Sequence, residues 1–392
     1  MNKAVILGTN YYIGLSIIRC LGREKIHTIA IDYTQKDTYG SKSKYLNEHI
    51  EAPNFKTEKE AYLDKLIEIA KNESEKPVLY PSADPYAEFI DENLDILKKY
   101  YLIPMVKKGL WTEVMKKESL IKLAQQNNVL VPETVDIDDP NFKEKVVEMI
   151  GFPCIVKPTD SPKFVNEFRK KIFYCTNIKE LEDSIEKARN KQIEVFVQRI
   201  IPGFDDHMYT FDFYVDKQGK VTHWTTCRKL RQFPINFGAS VYTEQKYVKE
   251  LADIGIPFIE KIGYRGFGEI EFKKDEKTGK FYLIEINTRT TNLNNLLYKS
   301  GLNFPYIQYK DMVNDNLSPK VIDYDTGYVF RYFFEDKLAI RDYIKNGQLT
   351  RLDVFKSLFR KKAPAIWSIS DPMPAFNYLY ILFNKAIKKI IK

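Results

Sequence analysis

Cysteine is scarce and scattered in this 392-residue chain: Cys20, Cys154, Cys175 and Cys227 form no C-x-x-C pair. That argues against a disulfide framework and fits a reduced, cytoplasmic setting. Histidine is equally thin, and His27, His49, His207 and His223 show no zinc-ligand spacing. No uninterrupted apolar stretch is long enough to span a bilayer. After Met1-Asn2-Lys3 the first apolar run ends at Leu7, too short for the core of a secretion signal. The basic residues sit in no recognised nucleic-acid module, so nucleic acid is not an expected partner. What remains is ordinary globular usage, 29% charged and 44% hydrophobic, with length for two or three domains. The net charge of +8 permits phosphorylated substrates or an anionic membrane and selects neither.

The N-terminal stretch opens as strand, helix, strand: Ala4 to Leu7, Gly14 to Leu21, Thr28 to Asp32. That order predicts a doubly wound, parallel sheet. Gly8-Thr9-Asn10-Tyr11-Tyr12-Ile13-Gly14 lacks the G-x-G-x-x-G spacing, so its glycines are expected to serve the tight strand-to-helix turn. A strand at Val78–Pro81 runs into Ser82 and Asp84 and then a helix over 85–99. These two residues are either ligand contacts at a strand's carboxyl end or caps of the helix. One lysine-rich amphipathic helix is expected over 110–127.

Two later stretches carry chemistry. Gly268-Glu269-Ile270-Glu271-Phe272 and Phe281-Tyr282-Leu283-Ile284-Glu285-Ile286-Asn287-Thr288-Arg289 flank a polar loop with Gly279, which reads as a β-hairpin. Period 2 puts Glu285 and Asn287 on one face, and a matching register would bring Glu271 to them across the ladder. Two carboxylates and an amide oxygen suit Mg²⁺ together with substrate phosphates. The apolar strand Cys154-Ile155-Val156-Lys157-Pro158 delivers a lysine inward, and a buried lysine calls for an anionic partner.

In this order the segments resemble the ATP-grasp family, over roughly residues 1–315. The resemblance implies an α/β and α+β architecture. A Rossmann-like pre-ATP-grasp domain (1–108) would precede a two-lobed ATP-grasp module (109–315, lobe boundary near 190–203) and a helical C-terminal extension (316–392). It implies Glu271, Glu285 and Asn287 as metal ligands, with Mg²⁺ or Mn²⁺, and Lys117 and Lys157 on the phosphates of ATP. Val195-Phe196-Val197-Gln198-Arg199-Ile200-Ile201 resembles the hinge against which adenine lies. There the Gln198 side chain and the backbone of Arg199 and Ile201 would read the base. Residues 160–171 stand where many members carry a glycine-rich flap; this chain has no glycine there, and Lys163, Arg169 or Lys171 would supply charge instead. Arg228-Lys229-Leu230-Arg231 with Pro234 resembles a segment of the subgroup that includes D-aspartate ligase. Arg231 and Arg289 would bind a substrate carboxylate or an acyl phosphate.

The implied reaction joins a small-molecule carboxylate to an amine through an acyl phosphate, in cell-wall or surface-polysaccharide synthesis. Carbamoyl-phosphate-synthase-like or carboxylase chemistry is the alternative, although Leu293 stands where carbon-dioxide-fixing members carry a carboxylate. An inactive nucleotide-binding scaffold is a further alternative, and a homodimer is compatible with all of these. In the helix expected over 377–392, Leu379, Leu382, Phe383, Ala386, Ile387, Ile390 and Ile391 share one face and Lys385, Lys388, Lys389 and Lys392 the other. Such a helix either lies on the anionic inner face of the cytoplasmic membrane or docks its apolar face on its own domain and leaves the lysines in water.

Overall fold

The computed structural model describes residues 1–34 and 36–390; Gln35, Ile391 and Lys392 lie outside it, as do the side chains of Ser161, Pro162, Lys389 and Ile390. Among the described residues three sheets form. The first joins β1 (Ala4–Leu7), β2 (Thr28–Asp32), β3 (Glu48–Glu51) and β4 (Val78–Pro81) in the order β3-β2-β1-β4, all parallel. The continuous apolar run of β1 is buried on both faces, as a strand covered by helices on either side must be. Gly8 has a φ of +94°, and a Cβ on Gly14 would lie 2.0 Å from the Gly8 carbonyl oxygen. Both glycines therefore serve the tight turn, as their spacing predicts. Asp32, at the end of β2, is consumed locally by the Thr9 N–H (2.7 Å), the Thr9 hydroxyl (2.5 Å) and His49 (2.8 Å).

Ser82 neither caps a helix nor faces a ligand. Its hydroxyl donates to the Leu7 carbonyl at 2.5 Å and ties β4 to β1. The helix expected over 85–99 divides into Asp84–Glu92 and Leu94–Leu97, because Asn93 leaves the helical range at φ −107°. The helix expected over 110–127 likewise divides, into Leu110–Met115 and Lys117–Gln126, where Lys116 turns extended (ψ 122°). The break sets Lys117 at the start of a helix.

The second sheet holds β5 (Thr134–Asp136), β6 (Cys154–Pro158), β7 (Phe173–Cys175) and β8 (Val195–Arg199), antiparallel in the order β5-β8-β6-β7. Residues 160–171 are not an open loop. Most of the stretch is a helix, Ser161–Phe168, whose Asp160 side chain caps it by accepting from the Lys163 N–H. Phe164, Phe168 and Phe173 pack their rings within 4.9 Å of one another beneath it.

The third sheet runs β13-β12-β9-β10-β11-β15-β16, with β14 beside β10. Its strands are β9 (Met208–Val215), β10 (Val221–Phe233), β11 (Ala239–Gln245), β12 (Gly266–Lys274), β13 (Phe281–Asn287), β14 (Lys320–Val321), β15 (Tyr328–Arg331) and β16 (Lys361–Pro364). The chain beyond 315 thus adds strands to the same sheet as the hairpin. It ends in the helix Met373–Ile390, which packs on the short helix Tyr39–Lys42 of the N-terminal region. Arg19 locks that junction, giving its Nε to the Asp371 carboxylate (2.8 Å) and its Nη2 to the Asp371 carbonyl (2.7 Å). Among the described residues no helix is long and apolar enough to cross a membrane.

Candidate active site

The three sheets face a common cleft of about 1850 Å³. One wall is the β12–β13 hairpin. Its register pairs Glu271 with Glu285 and Glu269 with Asn287, so all four side chains share a face. The expected trio therefore converges, and Glu269 joins it. Asn287 donates its amide N–H to Glu269 (3.0 Å), and the Thr291 hydroxyl donates to the other Glu269 oxygen (2.8 Å). This fixes Asn287 with its carbonyl oxygen as its remaining polar end. No group of three or more His, Cys, Asp or Glu among the described residues is arranged as a metal site by itself. Two carboxylates and an amide oxygen fit Mg²⁺ when the rest of its shell comes from phosphates and water.

Lysines make the facing wall. Lys157 leaves β6 beside Gln198 of β8 and donates to its side-chain oxygen at 3.0 Å, while the Gln198 amide donates to the Thr134 hydroxyl at 3.1 Å. Lys117 reaches the Pro158 carbonyl at 2.8 Å. Burial lowers the pKa of both lysines, that of Lys117 to about 8, with Lys157 adding repulsion. Lys171 lines the same space. Lys163 does not help there, since its ammonium is held by the Gln192 carbonyl at 2.7 Å. Arg169 ends the capped helix in a left-handed turn, φ 54°.

Lys229 of β10 is buried and pairs with the acidic wall, 2.6 Å from the half-buried Glu271. Burial pushes the Glu271 carboxyl up to about 7, against the pull of Lys229 and with help from Glu285 and Glu269. Burial also pushes Glu269, to about 8, with Asp212 adding to it. Glu285 goes the other way. Burial again opposes its charge, but Lys229, Lys157, Lys171 and Lys117 together outweigh it and hold the carboxyl below its ordinary range. Acidic and basic walls poised face to face are what a polyanion bridged by a divalent cation requires.

Three expected contacts come out differently. Arg231 is not in the cleft. It is 4% exposed and doubly bonded to Asp336 (2.6 and 3.1 Å), with its guanidinium 3.7 Å from the Tyr242 ring centre. The cause is an irregularity in the β10–β11 register between Lys229 and Arg231, which breaks the two-residue alternation. The cleft receives Lys229 in its place. The Arg199 backbone N–H is already given to the Glu133 carbonyl at 2.9 Å, and its side chain pairs with Glu133 and Asp275. A base edge therefore has Gln198 and Ile201 to meet here, not the Arg199 amide; both line the cleft. Arg289 does line the cleft but is engaged by a carboxylate of the N-terminal region: Nε and Nη2 bond Asp84 at 2.8 and 3.1 Å. Asp84 thus works through an arginine, at the strand end where a ligand contact was one reading.

Glu269 and Lys229 line the cleft although neither was expected as a ligand there. Glu269 lies two residues before Glu271, so period 2 already put it on the same face. Lys229 stood in the basic segment 228–231, from which Arg231 was expected to reach the cleft; the register irregularity that exchanges them is invisible in composition.

The fold and this cleft define an ATP-binding, ATP-grasp architecture, and residues 116–300 match the family described as carbamoyl-phosphate synthase L chain, ATP binding domain. That matched stretch carries Lys117, Lys157, Glu271, Glu285 and Asn287. It is 26% identical over 267 residues to a D-aspartate ligase of Enterococcus faecium, covering 64% of this chain and 63% of that one. It is 25% identical over 160 residues to a D-alanine–D-alanine ligase of Xylella fastidiosa, covering 37% of this chain and 47% of that one. The chain thus spans less than two thirds of the length of either relative. Among solved structures it is similar to the biotin carboxylase domain of Hydrogenobacter thermophilus 2-oxoglutarate carboxylase, in complex with MgADP, ADP and bicarbonate. That match has a TM-score of 0.65 and 18% identity, over 84% of this chain and 73% of that chain. It is also similar to N5-carboxyaminoimidazole synthetase from Staphylococcus aureus with ADP, at a TM-score of 0.62 and 14% identity, over 82% of this chain and 79% of that chain.

Proposed function

We propose that the protein is an ADP-forming carboxylate–amine ligase. The observation that carries this reading is the β12–β13 register. It sets Glu271 opposite Glu285 and Asn287 beside Glu269, facing Lys117, Lys157 and Lys171 across one cleft. The triphosphate of ATP would lie between the walls, its charge met by fixed ammonium groups that need no reorganisation during transfer. Bound at Glu271, Glu285 and Asn287, Mg²⁺ or Mn²⁺ would neutralise phosphate charge. Gln198, oriented by Lys157 and Thr134, and the backbone at Ile201 would meet the adenine edge.

The substrate carboxylate attacks the γ-phosphorus and ADP leaves. The amine then attacks the carbonyl carbon of the acyl phosphate, and inorganic phosphate departs with the amide formed. Lys229, shared with Glu271, is the basic residue next to the transferred group. Arg289 offers a substrate anion its Nη1, or all of its fork if Asp84 is displaced. The D-aspartate and D-alanine–D-alanine ligase relatives support an amino acid as one of the two substrates.

A carboxylase reading is favoured by the solved neighbours' fold. It is disfavoured by Leu293, which is fully buried in the core and offers no base to the cleft. ADP release screened across amino acids, nucleotide sugars and bicarbonate separates the two. Stimulation by an acid–amine pair is expected, and stimulation by bicarbonate alone would replace the ligase reading. No stimulation by any of them, with ATP still bound, would leave the scaffold.

A further inference from the structure

The helix Met373–Ile390 docks by the side opposite the one its sequence advertises. Ala375, Tyr378 and Ile381 pack into the core cluster below, and the Tyr378 ring lies tilted against Tyr39 with ring centres 5.0 Å apart. One turn further along the same side, Lys385 reaches Asp37 at 2.6 Å. The apolar stripe is left facing outward: Phe376, Leu379, Tyr380 (63% exposed) and Phe383 (64%). Trp367 sets its ring edge against Phe376, with centres 6.1 Å apart, and Ile369 nearby in the chain stands 88% exposed. The segment is not loosely attached, because Asp371 is held by Arg19, by the Ser43 hydroxyl (2.7 Å) and by the Lys44 backbone N–H (2.9 Å). A rigid mount that presents tryptophan, tyrosine, phenylalanine and isoleucine to solvent is a surface built for contact.

We infer that this patch is a preformed docking surface for an anionic lipid bilayer. Its charge decides the occupant. Lys42 and Lys44, on and just after the short helix beneath, and Lys388, on the helix itself, are exposed; the acids Asp37 and Asp371 are already paired, and Glu335 interacts with Tyr378. A basic rim around an aromatic centre complements an anionic interface, where tryptophan and tyrosine sit at headgroup level and lysines are attracted to the surface. A second copy of the chain fits less well, since a two-fold contact would bring the same lysines against each other. Binding is shallow and reversible, because the stripe is one helix face wide. Membrane contact would bring the ligase of the preceding reading to a lipid-linked or membrane-adjacent substrate. The contact itself stands or falls without turnover.

The test is sedimentation of the full chain with vesicles of phosphatidylcholine containing phosphatidylglycerol, against phosphatidylcholine alone, at low and high salt. Cosedimentation with the anionic vesicles at low salt, reduced by high salt, is expected. The double variant F376S/F383S, altered only at exposed positions, should lower the partition coefficient by roughly tenfold or more while its ADP release without vesicles matches the parent. Protein remaining in the supernatant, equal cosedimentation of the variant, or a dimer in solution that the variant dissolves would each overturn the inference. Loss of ADP-forming activity in the parent would overturn only the ligase reading.

Discussion

Glu285 opens onto the cleft with four lysines holding its charge, and Glu271 faces it across one ladder position. Glu285→Ala removes the carboxylate that is ionised most readily. The variant should fold and lose ATP turnover; full Mg²⁺-dependent activity would remove Glu285 from the metal set. Lys157→Ala should weaken ATP binding by about 1.5–3 kcal/mol, the range for a charge-assisted hydrogen bond, and calorimetry reads it directly. Lys117 adds a pH signature. Its pKa is lowered to about 8 in the folded chain, so it binds phosphate as a cation below that pH and is neutral above it. Nucleotide binding then takes up a proton between about pH 8 and the ordinary lysine range. ATP affinity should fall as pH rises through that window and flatten in Lys117→Met. For stability the sign is opposite to a paired lysine's: the unfolded chain holds more protons in this window, so the Lys117 contribution rises with pH.

Strands differ in how much of their face the sequence exposes to reading. In β12 and β13 the period-2 pattern put Glu285 and Asn287 on one face, and the register, which that pattern leaves open, brings Glu271 to them. In β10 a resemblance to a basic segment placed Arg231 in the cleft, and the break in register with β11 sent it into the core with Asp336 and Arg331. A register irregularity is a property of two strands at once, which one strand's sequence does not carry. The helix breaks at Asn93 and Lys116 were hidden for a related reason: local propensity favours continuing, and tertiary packing decides otherwise. The two readings of Arg231 separate experimentally. Arg231→Met leaves Asp336 its pair with Arg331 and should destabilise the fold by about 1.5–3 kcal/mol, the range for lost hydrogen bonds to a charged group. ATP affinity of the folded variant should be unchanged. A variant of parental stability with weakened substrate binding would return Arg231 to the site.

At the scale of the whole molecule, the order of motifs was legible because each is local: a glycine turn, a lysine at the end of an apolar strand, a carboxylate hairpin. Their convergence was not, because it depends on long-range pairs. Asp84 meets Arg289 from 205 positions away, and Arg19 meets Asp371 from 352. The same holds for the chain past 315, whose strands join the hairpin's own sheet. The cleft has one chemical signature that separates its proposed reaction from other uses of ATP. If a carboxylate oxygen attacks the γ-phosphorus, that oxygen leaves with the phosphate when the amine displaces it. Turnover with an ¹⁸O-labelled carboxylic acid and an amine, followed by ³¹P NMR and mass spectrometry, should yield ADP and inorganic phosphate carrying one labelled oxygen. AMP with pyrophosphate, or unlabelled phosphate accompanying amide, would contradict the account.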